Sequence, residues 1–276
     1  MAIRALACVV LLVASVGHAC AQDERSGEIA RDRARDATPA PSPSAPAPLS
    51  INGVLRGGAQ WIVSPARAKD DVFGYGALDV IVTARPTPHI TLLVDGEGYI
   101  GPGPNQALGT LSNVNADAGR TGGAQTRFAL REAWVRLESA DANVRFNVGK
   151  LDVTHYFDGN AFAASETRQF LNDALVRNPV LREPPNGPGA AVRVSHGDWR
   201  YAFGVHAPDA IDGDLSGLPY VIGELGRRNI FSQRGQYRWW ARVGSVPEQR
   251  DDVTWGTGVS IDQLVSENIG VFLRAG

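Results

Sequence analysis

The sequence is poor in cysteine, and its longest uncharged apolar run lies near the N-terminus. Its two cysteines are Cys8 and Cys20, and both fall in a segment that we predict is removed on export. A mature chain without thiols excludes thiol catalysis, cysteine-bound zinc and disulfides. The formal net charge of −2 gives no excess of basic residues, so no nucleic-acid partner is implied.

Residues 1–21 have the features of a secretory signal peptide. Arg4 supplies the positive start, and the apolar run over 5–16 is too short to cross a membrane as a helix. The small residues Ala19-Cys20-Ala21 form a cleavage pattern, so we expect cleavage after residue 21. Lipidation of Cys20 is the competing interpretation, but the preceding Gly17-His18-Ala19 lacks the usual apolar residue.

Residues 22–49 are predicted to be a disordered tether. The first part, 22–36, is highly charged, and 37–48 is almost entirely Pro, Ala and Ser. Neither part has enough apolar surface to fold. Proline-rich chains favour an extended arm, so the folded domain is expected over residues 50–276.

From residue 50 onward, short segments of alternating apolar and polar residues are separated by Gly, Pro, Asn and Asp. This period of two is typical of β-strands; over 132–138, Glu, Trp, Arg and Glu alternate with Ala, Val and Leu. The predicted fold class is all-β, an antiparallel transmembrane β-barrel of porin type with one short helix in a long loop. Roughly eleven strands are predicted, near 51–62, 75–84, 89–99, 127–138, 142–150, 189–196, 198–206, 219–228, 234–246, 252–262 and 267–275.

A soluble periplasmic β-sandwich would show the same alternation, so the period alone does not separate the two folds. The export signal, the lack of cysteine and the strand lengths favour the barrel. Aromatic residues would mark the two membrane interfaces of a barrel, although core aromatics would show the same pattern. The candidates for these girdles are Tyr75, Tyr99, Trp134, Tyr201, Trp239, Trp240 and Trp255.

The C-terminus suggests an incomplete barrel. The chain stops within the predicted strand 267–275 and has no terminal aromatic residue. Single-chain bacterial barrels have even strand numbers, and an open edge in lipid leaves backbone groups unpaired. We therefore expect the chain to be truncated relative to a complete barrel and not to close a pore alone.

The most distinctive stretch of the chain is 147–194. A strand ends in Val148-Gly149-Lys150-Leu151-Asp152, a loop follows with Phe157-Asp158, Asn160 and Phe162, and Phe170-Leu171-Asn172 precedes a proline-rich run. These residues resemble the carbohydrate-selective porin (OprB-type) family. The resemblance continues more weakly to about residue 270.

The resemblance implies a larger antiparallel barrel, of roughly sixteen strands, that passes sugars by diffusion across the outer membrane of a Gram-negative-type bacterium. The partners it implies are mono- or oligosaccharides as permeants and outer-membrane lipid, with a monomer or a homotrimer as the assembly. It implies no enzyme activity and no cofactor. A soluble periplasmic β-protein, a barrel with an adhesive or hydrolytic role and a non-functional porin fragment remain alternatives.

Charged residues on the polar side of the predicted strands are candidates for lining the pore and contacting sugars. Lumen positions tune selectivity in such barrels, although any one of these charges can simply be a solvated wall residue. The candidates are Asp95, Glu97, Glu132, Arg136, Arg145, Lys150, Arg193, Arg200, Arg238 and Arg242.

The long loop over 154–188 is expected to contain the short helix. Ser165 is predicted to cap it, its apolar positions lie over 170–175, and the step Asn178-Pro179 ends it. We hypothesise that this loop folds into the barrel mouth and narrows it, with a loop lying on the rim as the alternative. The constriction candidates are Phe157, Asp158, Asn160, Phe162 and Phe170.

Catalytic and metal motifs are scarce. The sequence contains neither G-x-S-x-G nor H-E-x-x-H, and its histidines show no ligand spacing. Asp209, Asp212 and Asp214 cluster near glycine and are weak calcium candidates, because the distal glutamate of a regular calcium loop is missing. An exposed acidic turn explains them better.

Overall fold

The computed structural model describes residues 48–63, 71–101, 103–104, 114–115, 127–165, 169–207, 218–231, 234–246, 249–266 and 268–276. They form one antiparallel sheet of eleven strands, in which each strand pairs with the next in sequence. The strands are β1 Leu49–Ile62, β2 Asp71–Thr87, β3 Ile90–Ile100, β4 Arg127–Glu138, β5 Val144–Leu151, β6 Gly187–His196, β7 Trp199–His206, β8 Tyr220–Arg228, β9 Gly235–Val246, β10 Gln249–Leu264 and β11 Gly270–Ala275.

The prediction of about eleven antiparallel strands that do not close into a barrel is confirmed. Each predicted segment corresponds to one observed strand, and β1 and β11 lie at opposite edges of the sheet. The predicted signal peptide and nearly all of the predicted tether lie outside the described residues. Both therefore remain predictions.

Two short helical segments lie between β5 and β6. A single 3-10 turn spans Val153–His155, and helix α1 spans Asp173–Val176. The prediction of a short helix in this loop is confirmed, but the prediction that Ser165 caps it is wrong. Asn172 is the cap, because its side chain accepts a hydrogen bond from the amide of Ala174 at 2.9 Å. No helix in the described part of the chain is long and apolar enough to cross a membrane.

From β2 to β8, the connections between strands alternate in length. The turns after β2, β4 and β6 are short, whereas those after β3, β5 and β7 are long. Because the strands are antiparallel, the short turns lie at one end of the sheet and the long connections at the other. We call these the short-turn end and the long-loop end.

The alternation of side chains gives the sheet two different faces. On β7, for example, Tyr201, Phe203 and Val205 are exposed on one face, whereas Ala202 and Gly204 are buried on the other. We call the exposed face the outer face and the buried one the inner face. The outer face is strongly apolar and includes Ile51, Leu55, Leu92, Val94, Phe128, Leu137, Phe146, Val148, Leu225, Val243 and Leu273.

The predicted aromatic girdle is only partly on the outer face. Tyr201, Trp239 and Trp255 are exposed there. The assignment is wrong for Trp134 and Trp240, which are buried on the inner face, and for Tyr75 and Tyr99, whose positions follow the inner rows of β2 and β3. The polar residues beside Trp134 and Trp240 share that inner face, since side chains two apart point the same way.

The sheet is distorted where β5 and β9 approach the long-loop end. Gly149 and Gly244 have φ angles of 143° and 136°. A Cβ atom on Gly149 would lie 2.3 Å from the carbonyl oxygen of Ala133. Only glycine therefore fits this crossing of β4 and β5.

Gly149→Ala is expected to destabilise the folded protein by about 2 kcal/mol or more, because it combines an unfavourable φ with a backbone overlap. Chemical unfolding in detergent, followed by tryptophan fluorescence, measures the effect. Gly74→Ala in β2 is the matched control, since a Cβ there meets no atom within 4 Å. Equal stability of the two variants would contradict the assigned strain.

Candidate functional site: the inward loop on the polar face

Residues 152–186 connect β5 to β6, and the described parts, 152–165 and 169–186, lie on the inner face of the sheet. We call this segment the inward loop. Its aromatic side chains pack where the strands carry glycine: a Cβ on Gly204 would come 2.8 Å from the Phe157 ring, and one on Gly270 would come 2.3 Å from the Phe162 ring. Gly204 and Gly270 thus leave the space that the two phenylalanine rings fill, so the loop packs closely against the inner face.

The base of the inward loop is held by a network of charges. Arg131 is the extra residue of a β-bulge between β3 and β4, and its guanidinium donates to Glu97 at 3.1 Å and to Asp152 at 3.2 Å. Glu132 accepts from the Asp152 amide at 3.0 Å and lies 3.0 Å from the His155 ring. Burial disfavours ionisation of Asp152, but His155 and Arg131 hold the pKa of its carboxyl well below the usual value.

The tip of the inward loop is centred on Asp158. Its carboxylate accepts from the Trp240 indole at 2.9 Å and the Asn178 amide at 3.1 Å, and lies 2.8 Å from the Arg274 guanidinium. Its own backbone amide donates to Glu224 at 2.8 Å. Burial raises the pKa of the Asp158 carboxyl to about 6, outweighing the opposing effect of Arg274.

The residues after Asp158 bind to β10. The Gly159 carbonyl accepts from the Ser260 hydroxyl at 2.9 Å and also from Arg238. The Asn160 side chain donates to the Ile261 carbonyl at 3.1 Å, and the Ala161 amide donates to Asp262 at 3.1 Å (Ala161 N to Oδ2). The loop therefore extends from its base at β4 across the sheet to β10, the neighbour of the edge strand β11.

The return limb is held by further hydrogen bonds. Asn178 donates to the Ala275 carbonyl in β11 at 3.0 Å. The Val180 carbonyl accepts from Arg242 at 3.2 Å, and the Leu181 carbonyl accepts from the Tyr220 hydroxyl at 2.9 Å. Phe170 packs on Phe272 with ring centroids 5.7 Å apart. Both limbs of the loop are thus held against the sheet.

The predicted lumen residues lie on the inner face with one exception. Lys150 pairs with Ala133 in an outer row, and its ammonium donates to the Leu130 carbonyl at 2.8 Å. Gly149 precedes it and takes the inner position, so the prediction for Lys150 is wrong. The residues on the inner face are Asp95, Glu97, Glu132, Arg136, Arg145, Arg193, Arg200, Arg238 and Arg242.

The structure divides these residues into groups. Glu97 and Glu132 lie at the loop base, Arg238 and Arg242 bind the loop tip and return limb, and Arg136 stacks over the Trp134 ring at 4.8 Å. The remaining arginines cluster at the short-turn end. Of the constriction candidates, Phe157, Asp158 and Asn160 are buried, so they hold the loop in place rather than present a free surface.

Sequence reasoning missed Glu224, Ser260, Asp262 and Arg274, which contact the inward loop. The alternation of Ser260 and Asp262 with Val259 and Ile261 could have placed the first two on the inner face. No local pattern pairs them with a loop about a hundred residues earlier in the chain. That pairing depends on the tertiary structure.

The calcium candidates Asp209, Asp212 and Asp214 lie outside the described residues. Within the described ranges, no group of three or more His, Cys, Asp or Glu is arranged to hold a metal ion.

An antiparallel sheet with an apolar outer face, a polar inner face and a long loop folded against that inner face defines a porin-type fold. One solved structure agrees with this class. The high-pH structure of Pseudomonas putida OprB superposes with a TM-score of 0.62 at 12% sequence identity, over 79% of this chain and 62% of that chain. The predicted porin-type fold is thereby confirmed.

Other comparisons are less informative. No family model matches the chain. An uncharacterized protein of Aquifex aeolicus (strain VF5) is 38% identical over 168 residues, which are 60% of this chain and 48% of that protein. A mutant of Rh. blastica porin matches at a TM-score of 0.35 and 14% identity, over 83% of this chain and 94% of that one, which is too low a score to support an inference. The chain thus spans about half of its Aquifex relative.

Asp158→Asn should change the pH dependence of stability. The folded pKa of about 6 lies above the ordinary value of 3.8, so this carboxyl contributes stability that is fully present below pH 3.8 and lost as pH rises through 6. Relative to the neutral variant, the wild type should lose at most about 3 kcal/mol of unfolding free energy between pH 4 and 7. Chemical unfolding in detergent at pH 4, 5, 6 and 7 measures the difference.

Asp141→Asn in the turn after β4 is the control, because the pKa of the Asp141 carboxyl is shifted in the opposite direction from that of Asp158. Hydrogen bonds from Ser139 and Asn143 hold the pKa of the Asp141 carboxyl below its usual value. Relative to this variant, the wild type should lose no stability over the same range. A difference between wild type and Asp158→Asn that stays constant from pH 4 to 7 would contradict the assignment.

Proposed function

We propose that this chain forms the wall of an outer-membrane channel through which small solutes, preferentially sugars, diffuse passively. The observation that carries the proposal is a sheet with an apolar outer face and a polar inner face, against which the inward loop is firmly held. Passive diffusion of this kind requires no covalent chemistry and no cofactor.

The outer face fits lipid better than water. Leu55 is 82% exposed and Trp255 is 77% exposed, and similar side chains follow on every strand of the sheet. Soluble proteins rarely expose continuous apolar patches larger than several hundred Å². Most of the strands are also long enough to cross a bilayer as tilted β-strands.

The connections suggest an orientation. Outer-membrane barrels place short turns in the periplasm and longer loops outside the cell. The short-turn end would then face the periplasm, and β1 would begin there, after the proposed signal peptide and tether. The inward loop enters from the extracellular side.

The inner face offers a polar path. Its carboxylates accept hydrogen bonds, its guanidinium groups donate them, and its side-chain amides do both. This mixture suits the hydroxyl groups of sugars, which also donate and accept. The inward loop occupies part of the space beside this face and would narrow the path. The sugar preference itself is supported by the resemblance of 147–194 to carbohydrate-selective porins, and a monomer and a homotrimer both suit it.

Phe203→Lys tests contact with lipid. A lysine in the middle of a lipid-facing strand should cost roughly 2–4 kcal/mol of folding free energy in liposomes. His196→Lys lies on the same face at the strand end, where the cost should be no more than about 1 kcal/mol. Phe203→Leu controls for loss of the ring. If the lysines at 203 and 196 cost the same, the outer face does not lie in lipid.

Liposome swelling tests the channel. Liposomes containing the closed barrel to which this chain contributes its strands should swell faster in an isosmotic sugar than in a zwitterion of similar size. Because Asn178 donates to Asp158 at 3.1 Å, residues 160–177 can be removed and the ends joined through one glycine. This deletion should raise single-channel conductance roughly twofold or more and weaken the sugar preference.

Two outcomes of the swelling experiment would contradict these expectations. No swelling with any solute would refute the channel and favour an adhesive or hydrolytic barrel or a non-functional fragment. Swelling that the deletion leaves unchanged would retain the channel but refute the narrowing by the inward loop. Folded state is checked in each case by heat-modifiable migration.

A further inference from the structure

A row of polar and aromatic side chains crosses the outer face at its short-turn end. The strand register places His196, Trp199, Arg227 and Tyr237 directly opposite one another on β6, β7, β8 and β9. The first three are exposed, and the Arg227 guanidinium lies over the Trp199 ring at 5.1 Å. We call these four residues the end row.

The end row lies just beyond the apolar part of the outer face. Two residues further along the same strands are Tyr201, Leu225 and Trp239, which are exposed on that face. Residues two apart on a strand are separated by about 7 Å. With the outer face in lipid, as proposed above, the end row therefore lies where the hydrocarbon chains give way to the headgroups. Amphipathic aromatic rings are enriched at this depth.

The turn between β8 and β9 adds apolar side chains beside the end row. Ile230 and Phe231 are 45% and 64% exposed. The Phe231 ring packs edge-on against Tyr237, with ring centroids 6.0 Å apart. Because Tyr237 belongs to the end row, this contact holds Phe231 on the side of the turn that adjoins the outer face.

The same corner of the outer face carries positive charge. Residues 225–237 contain three arginines and no acidic residue. Arg228 lines a cleft of the inner face, whereas Arg227 and Arg234 are exposed. Among the described residues, no carboxylate forms an ion pair with Arg227 or Arg234, and that includes Asp198 in the turn before β7.

We propose that the end row binds the phosphate headgroup of an anionic phospholipid, whose acyl chains lie along the apolar rows of the outer face. The Arg227 guanidinium can donate paired hydrogen bonds to a phosphate, and the Trp199 indole and the His196 imidazole supply further donors. The ring of Trp199 also holds the guanidinium at the strand end.

The charge of this corner selects the headgroup. A zwitterionic headgroup brings an ammonium group together with its phosphate, and the two exposed arginines repel that ammonium. An anionic headgroup brings no cation and is attracted by both arginines. The proposal rests on the proposed function, because it requires the outer face to lie in lipid. It does not require the barrel to pass sugars.

Native mass spectrometry tests the site on the closed barrel to which this chain contributes its strands. In detergent with equal concentrations of phosphatidylglycerol and phosphatidylcholine, the wild type should retain phosphatidylglycerol preferentially. Arg227→Gln should lower this preference roughly fivefold, as expected for one arginine at an anionic membrane surface. Higher salt should also lower it.

Lys150→Gln is the matched control. It also removes one cation from the outer face, but at the long-loop end, where the Lys150 ammonium donates to the Leu130 carbonyl at 2.8 Å. This variant should leave the lipid preference unchanged. The folded state of each variant is checked by heat-modifiable migration.

The outcomes separate this proposal from the channel. Equal retention of the two lipids by the wild type, or an equal loss of preference in Arg227→Gln and Lys150→Gln, overturns the lipid site even if sugars permeate. Displacement of phosphatidylglycerol by inorganic phosphate at the same concentration would mean that the end row takes a free oxyanion, and the lipid assignment would be wrong. A preference that only Arg227→Gln lowers, in a barrel that does not pass sugars, retains the site and refutes the channel.

Discussion

The buried ion pair between Asp158 and Arg274 is the interaction on which the arrangement of the inner face depends. It joins the tip of the inward loop to β11, the last strand of the sheet. Removing one partner of such a pair leaves an uncompensated buried charge, which costs about 3–5 kcal/mol in general. The Trp240 indole and the Asn178 amide share the same carboxylate. Several contacts that position the loop therefore converge on this one charged group.

The sheet is adapted to receive the loop. Phe157 and Phe162 lie where β7 and β11 carry Gly204 and Gly270, and a larger side chain at either position would push the loop away from the wall. Polar residues surround these two glycine positions. Some of them bind the loop, and others lie along the part of the inner face that the loop does not cover.

Charge is distributed unevenly along the inner face. Near the loop base, Arg131 lies between the carboxylates of Glu97 and Asp152, and the His155 ring contacts Glu132. At the short-turn end, Arg145, Arg193, Arg200 and Arg228 line one cleft. This uneven distribution is a consequence of which strands lie side by side.

The sequence alone determined the strands and their two faces, because a period of two directly reports which side chains share a face. It also indicated that the loop after β5 contains a short helix. It was wrong for Lys150, which the same period of two places in the outer row with Phe146 and Val148, and for Trp134 and Trp240, whose size suggested a lipid interface. Only the tertiary structure decided that Asp158 meets Arg274 and that four arginines share a cleft, because such contacts depend on strand register and loop path rather than on local pattern.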